Sequence, residues 1–276
     1  MCYGTHVMSP SFKVLRRTII SLYGNITTGT RGSLAGSPAA HFPKLPLISP
    51  LHLSTYHFSI DRLPKLRCVA SSCFISLSHG TPAVFLSAYA LLTDPDRGFG
   101  SRNTAVQNGV LDYSIAYFVM DLVHYLIFNP SEVLFIGHHL ATLFVFVTCR
   151  YVVSRGAYAV LVLLILAEVT SLCQNVWTLS VALRAESVKA AKVYEFLSPP
   201  FYAFYSIVRG LAGPWFVYEM GVFYAAGVGE HVIPKWIWVS WLVVVVSALC
   251  VSILWIANLW VELFRERSAK LEKKVE

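Results

Sequence analysis

Apolar residues fill this chain in long unbroken runs separated by short polar stretches. Six runs stand out: about Arg67 to Leu92, Val110 to Phe128, Glu132 to Val153, Ala157 to Leu183, Pro199 to Ala226 and Trp236 to Leu263. They are continuous rather than alternating, so they predict helices and not the strands of a membrane barrel. At about 1.5 Å per residue each is long enough to cross a hydrocarbon core of about 30 Å. Runs two and three are separated by little more than Asn129-Pro130-Ser131, which predicts a tight antiparallel hairpin. Run five opens on Ser198-Pro199-Pro200 and contains Arg209, Gly210, Gly213 and Pro214, so a kinked or broken helix is expected. Tyr151, Trp236, Trp238 and Trp260 stand near run ends, as interfacial anchors do.

Composition supports the same class. Of 276 residues, 56% are hydrophobic and only 13% charged, against about 25% charged in soluble domains; mean hydropathy is +0.59. The expected fold is an all-α polytopic membrane protein with about six transmembrane helices. The net charge of +7 does not point to nucleic acid, because the basic residues flank apolar runs and do not interleave with aromatics. It orients the chain instead. Arg62, Lys65 and Arg67, then Arg184, Lys189 and Lys192, then Arg265, Arg267, Lys270, Lys273 and Lys274 fall on one side of a six-span topology. Both termini are then expected in the cytosol.

Residues 1 to about 60 differ from the rest. They are rich in Ser, Thr, Pro and Gly, and carry no acidic residue before Asp61. This suits a disordered extension or a targeting-like segment. The chain ends Lys273-Lys274-Val275-Glu276, with lysines third and fourth from the end. That resembles the dilysine signal that returns endoplasmic reticulum membrane proteins through the COPI coat, and the basic tail from 266 to 276 would present it to the cytosol.

The polar residues inside the runs carry the candidate chemistry, since hydrocarbon cannot solvate them. Tyr113, Tyr117, Asp121 and His124 share one face of run two, and Asp121 and His124, three apart, can touch. His138 and His139 open the apolar stretch of run three and point about 100° apart. Thr142 and Phe146 continue the face of His139, which favours it as the residue facing a central cavity. Glu168, Ser171 and Asn175 form a polar stripe on run four, where Glu168 must be neutral or paired with a histidine, with Arg209 on run five as another partner. Interhelical hydrogen bonding is the plain alternative for each. A carboxylate near two imidazoles also provides general acid–base capacity. The ligand set is thin for a metal, and none is expected. No P-loop, dinucleotide fingerprint or nucleophile elbow appears.

Asp112-Tyr-Ser-Ile-Ala-Tyr-Phe118, Gly137-His-His-Leu-Ala-Thr-Leu-Phe144, Leu166-Ala-Glu-Val-Thr-Ser171 and Leu197-Ser-Pro-Pro-Phe-Tyr202 resemble the TLC-domain family over roughly residues 65 to 265. The likeness is to its small plant-type members more than to its ceramide synthases. The resemblance implies a six-helix barrel around a lipid-accessible cavity. In the ceramide synthases a histidine pair and two aspartates three apart serve acyl transfer from acyl-coenzyme A. Here the histidines stand at His138 and His139, while Glu168 and Ser171 replace the aspartates. Three functions are therefore expected, in order. The first is a reticulum protein that handles membrane lipids without a cofactor, with His124, Ser171, Asn175, Tyr117 and Arg209 lining its lipid site. The second is an acyltransferase using His138, His139, Glu168 and Asp121 with acyl-coenzyme A. The third is a trafficking receptor working through Lys273 and Lys274.

Overall fold

In lipid a backbone finds hydrogen-bond partners only within itself, and the residues that can be described here are helical almost throughout. The computed structural model describes residues 50–227 and 232–275, the outermost stretches by their backbone alone. The expected extension, residues 1 to about 60, falls largely on 1–49, outside the described residues. Two units divide at Val69–Ala70, and all side-chain geometry below belongs to the second.

Eight α-helices follow in order among the described residues: α1 (Pro50–Leu92), α2 (Ala105–Phe128), α3 (Val133–Val147), α4 (Ala157–Glu168), α5 (Ser171–Leu183), α6 (Val188–Tyr205), α7 (Gly213–Ala225) and α8 (Lys235–Val275). Two π-helical turns, Thr148–Val153 and Ser206–Ala212, extend α3 and join α6 to α7. Among the described residues, five stretches are long and apolar enough to cross a membrane: Val69–Leu92, Ala105–Phe128, Val133–Val153, Ala157–Leu183 and Lys235–Ala269. The protein is an all-α polytopic membrane protein.

The run expected at Pro199–Ala226 is not among those five. It belongs to a longer path, α6, π turn and α7, diluted by Ser206, Arg209 and Glu219. Pro199 and Pro200 sit inside α6 rather than at its start. Just before them Ser198 Oγ donates to the Tyr194 carbonyl at 2.6 Å and accepts from Trp177 Nε1 at 3.0 Å, tying α6 to α5. The fourth run is also two helices, parting at Val169–Thr170.

Polar residues close each end. At α2 a capping box forms, with Gln107 N donating to Thr104 Oγ1 at 3.2 Å and Thr104 N to Gln107 Oε1 at 2.9 Å. Asn103 ties the same end together. Its Nδ2 donates to the Cys149 carbonyl at 3.1 Å, and its Oδ1 accepts from Ala157 N at 2.9 Å. Gly156 takes φ +82° there, and a Cβ would come within 3.0 Å of the Trp241 ring, so only glycine lets α8 approach this turn. Beyond α5, Arg184 pairs with Glu266 at 3.0 Å, and Tyr194 donates to the same carboxylate at 2.9 Å. Burial, then the adjacent Glu266 carboxylate, pushes the Tyr194 phenol up, so it stays a donor.

The interior holds two apolar clusters. One joins Ala83, Leu111, Phe118, Phe146, Leu161 and Trp241; the other joins Trp177, Phe201, Tyr202, Tyr205, Leu259 and Leu263. The small residues Ala83, Ala90, Ser114 and Ala159 are fully buried, which lets backbones approach where lipid offers no hydrophobic drive for association. Phe74, Phe85, Leu92 and Met120 are each at least 70% exposed, a face suited to acyl chains.

Candidate functional site

Along α4–α5 and along α6–α7 the polar residues fall between the two apolar clusters. Asp121 lies one turn beyond the buried Phe118 on α2, and His139 lies on α3 across the hairpin. His139 Nε2 meets Asp121 Oδ2 at 2.7 Å, and both side chains are buried. His139 Nδ1 meets the Phe135 carbonyl, also at 2.7 Å. A carbonyl only accepts, so Nδ1 carries hydrogen. The Nε2–Oδ2 contact then holds one further proton, on the imidazole or on the carboxyl. Tyr117 OH points at the same Oδ2 from 3.5 Å.

This overturns two sequence expectations. Asp121 does not pair with His124; it reaches across to α3, and His124 packs instead on Phe128 with ring centroids 5.0 Å apart. Nor does His139 face an open space. Its neighbour His138 is the exposed imidazole, and its ring makes no hydrogen bond among the described residues. The two rings stand nearly perpendicular at 86°. The side of α3 that faces α2 is set by the partner helix, which helical spacing within α3 does not specify.

Glu168 ends α4 and Ser171 starts α5. Ser171 Oγ donates to Glu168 Oε2 at 2.6 Å, so the carboxylate takes a hydroxyl partner and not a histidine. Its place depends on α1, because a Cβ at Gly80 would overlap Glu168 Oε2. Asn175, one turn beyond Ser171, is a fastener. Its Nδ2 donates to Ser76 Oγ at 3.2 Å and to the Ser171 carbonyl at 2.8 Å, locking α5 to α1.

Arg209 sits on the π turn between α6 and α7. Its Nη2 donates to the Ala167 carbonyl, and its guanidinium lies 5.6 Å from the centre of the Tyr205 ring. Ala167 is in the last turn of α4, whose carbonyls lack intrahelical partners, so Arg209 caps a helix that ends inside the membrane. His138 and Glu168 are both within electrostatic range of Arg209, and Glu168 is within range of His139.

One residue escaped the sequence reading. His79 on α1 is 2% exposed and stacks flat on Tyr117, with centroids 3.8 Å apart. Its Nε2 contacts Ser114 Oγ at 3.2 Å, and Nδ1 has no partner. The signal was present: a histidine inside an apolar run, beside a glycine. It is the same signal that marked His138 and His139. Lys273 and Lys274 lie in the last turns of α8, with their side chains outside the described residues. Among the described residues no three His, Cys, Asp or Glu side chains are placed to hold a metal ion.

The chain was compared with known proteins. The TLC-domain family pattern matches residues 70–261. A TLC domain-containing protein of Arabidopsis thaliana is 56% identical over 243 residues, covering 84% of this chain and 96% of that relative. No solved structure matches the chain. The family pattern spans all the helices that carry the site, and the likeness to the plant relative runs well beyond it; this chain belongs to the TLC-domain family.

Proposed function

We propose that this protein handles lipid within the membrane, holding an acyl chain or lipid with its polar end at the buried site and so affecting membrane lipid composition. One observation carries the reading: His138 is accessible and uncommitted, beside the His139–Asp121 pair, whose polar atoms are already bonded to one another. An intramembrane imidazole left without a protein partner is costly unless something polar meets it. The family, which is generally related to membrane lipids, supports the reading. The role calls for no cofactor. Mass spectrometry of the protein from lipid nanodiscs should find intact lipid on the wild type. His138→Phe, which keeps a ring but removes its polar atoms, should retain several-fold less. No lipid above the empty-nanodisc background would sink the proposal.

A second reading, acyl transfer, draws on the Asp121–His139 contact at 2.7 Å, which orients an imidazole beside the accessible one as acid–base chemistry requires. Acyl-coenzyme A would be the donor. Incubation with acyl-coenzyme A and a long-chain amine should then give an amide product that His138→Ala abolishes. No product from folded wild type would remove this reading.

We place the protein in the endoplasmic reticulum with both termini in the cytosol, on the dilysine end and the basic flanks. Retrieval by the COPI coat predicts that Lys273→Ser with Lys274→Ser sends the protein onward. Unchanged distribution by microscopy would refute this.

A further inference from the structure

Arg209 is the intramembrane cation of the site, and the protein leaves it only partly answered. Among the described residues it forms no ion pair. One nitrogen serves the Ala167 carbonyl, the ring of Tyr205 lies under the guanidinium, and Nε is closed off from solvent with no partner. Glu168 lies within electrostatic range but does not come close enough to pair with Arg209. Asp121 is held by His139, and Glu168 accepts from Ser171 while packed against Gly80. His138, which is exposed, also lies within electrostatic reach of Arg209, and its ring makes no hydrogen bond among the described residues. Arg209 thus brings a positive charge with no ion pair among the described residues, and His138 an imidazole with no hydrogen bond of its own.

A guanidinium's fork of N–H groups matches carboxylate and phosphate oxygens. A neutral ester carbonyl offers one weak acceptor and no charge. We propose that the site selects lipids whose polar end is an anionic, oxygen-rich group, with Arg209 as the anchor and His138 as a second donor. This rests on the lipid-handling reading and narrows it to a ligand class. The anionic group can be the carboxylate of an unesterified fatty acid or the phosphate monoester of a phospholipid. The cap on α4 and the anchor for the ligand are then one side chain, so ligand charge also steadies the break between α4 and α5.

The test uses the full-length protein in nanodiscs of neutral phosphatidylcholine. Retention of oleate, methyl oleate, dioleoyl phosphatidate and dioleoylglycerol is measured by mass spectrometry. The wild type should retain at least one anionic lipid at least tenfold over its neutral counterpart. Preference for oleate over methyl oleate assigns a carboxylate, and preference for phosphatidate over dioleoylglycerol assigns a phosphate. Arg209→Lys should keep the preference in reduced form, and Arg209→Gln should abolish it. The wild-type comparison stands even if Arg209→Gln fails to fold. Equal retention of anionic and neutral lipids would overturn the anionic assignment and leave the lipid-handling reading intact. Retention of none would overturn both.

Discussion

His138 and His139 are adjacent in the sequence and opposite in circumstance. His139 is locked by Asp121 and by the Phe135 carbonyl, each at 2.7 Å, while His138 makes no side-chain hydrogen bond among the described residues. The two should therefore respond differently to mutation. Asp121→Ala leaves the buried Nε2 of His139 without its partner and should cost about 3 kcal/mol, read as a clear drop in thermal midpoint in detergent. His138→Ala should move that midpoint little. Equal losses would mean that His138 is as structural as its neighbour. Gly80→Ala should also destabilise, because the new methyl meets the Glu168 carboxylate; Gly80→Ala with Glu168→Ala should recover part of the loss, measured as a double-mutant cycle. Asp121 was visible in the sequence as a carboxylate able to orient His138 or His139 as well as touch His124, but which of these partners it takes was not. Helical spacing identifies neighbours on one helix, such as His124, and says nothing of a residue 18 positions away across a hairpin.

At the scale of elements, the informative features are the interruptions. Prolines and glycines announced a broken fifth run, and the break appears as a π turn carrying Arg209. The parting of α4 from α5 at Val169–Thr170 had no such punctuation, because Leu161-Val-Leu-Leu-Ile-Leu-Ala167 reads as uninterrupted helix. It follows from tertiary demands: Gly80 on α1 makes room for the Glu168 carboxylate, and Arg209 takes up an α4 carbonyl. The other π turn is pinned by Thr148, whose hydroxyl accepts from the buried Trp241 indole at 2.8 Å. Thr148→Val should strand that N–H in the core and cost about 1–3 kcal/mol, checked by thermal unfolding. Thr148→Ser, which keeps the hydroxyl, should recover most of it.

At the scale of the molecule, α8 is 41 residues long, about 60 Å, roughly twice a hydrocarbon thickness. It passes both apolar clusters and continues to the Glu266 clamp with Arg184 and Tyr194. Single cysteines placed after residue 270 and in the loop between α5 and α6 should label from the same side of intact vesicles; opposite labelling would refute the orientation drawn from the basic flanks. The sequence alone determined the class, five of the six expected spans and which polar residues interrupt the apolar runs. Those follow from one-dimensional quantities, the length of an apolar run and the cost of a polar group inside it, and Asp121, Glu168 and Arg209 could be picked out on that basis. The tertiary structure alone decided which polar groups satisfy one another. It joined Asp121 to His139, set Glu168 against Gly80, stacked His79 on Tyr117 and left His138 and part of Arg209 unanswered. Such pairings depend on which face each helix turns toward its neighbours, and in a membrane, where both lipid and core are apolar, hydrophobicity does not distinguish those faces.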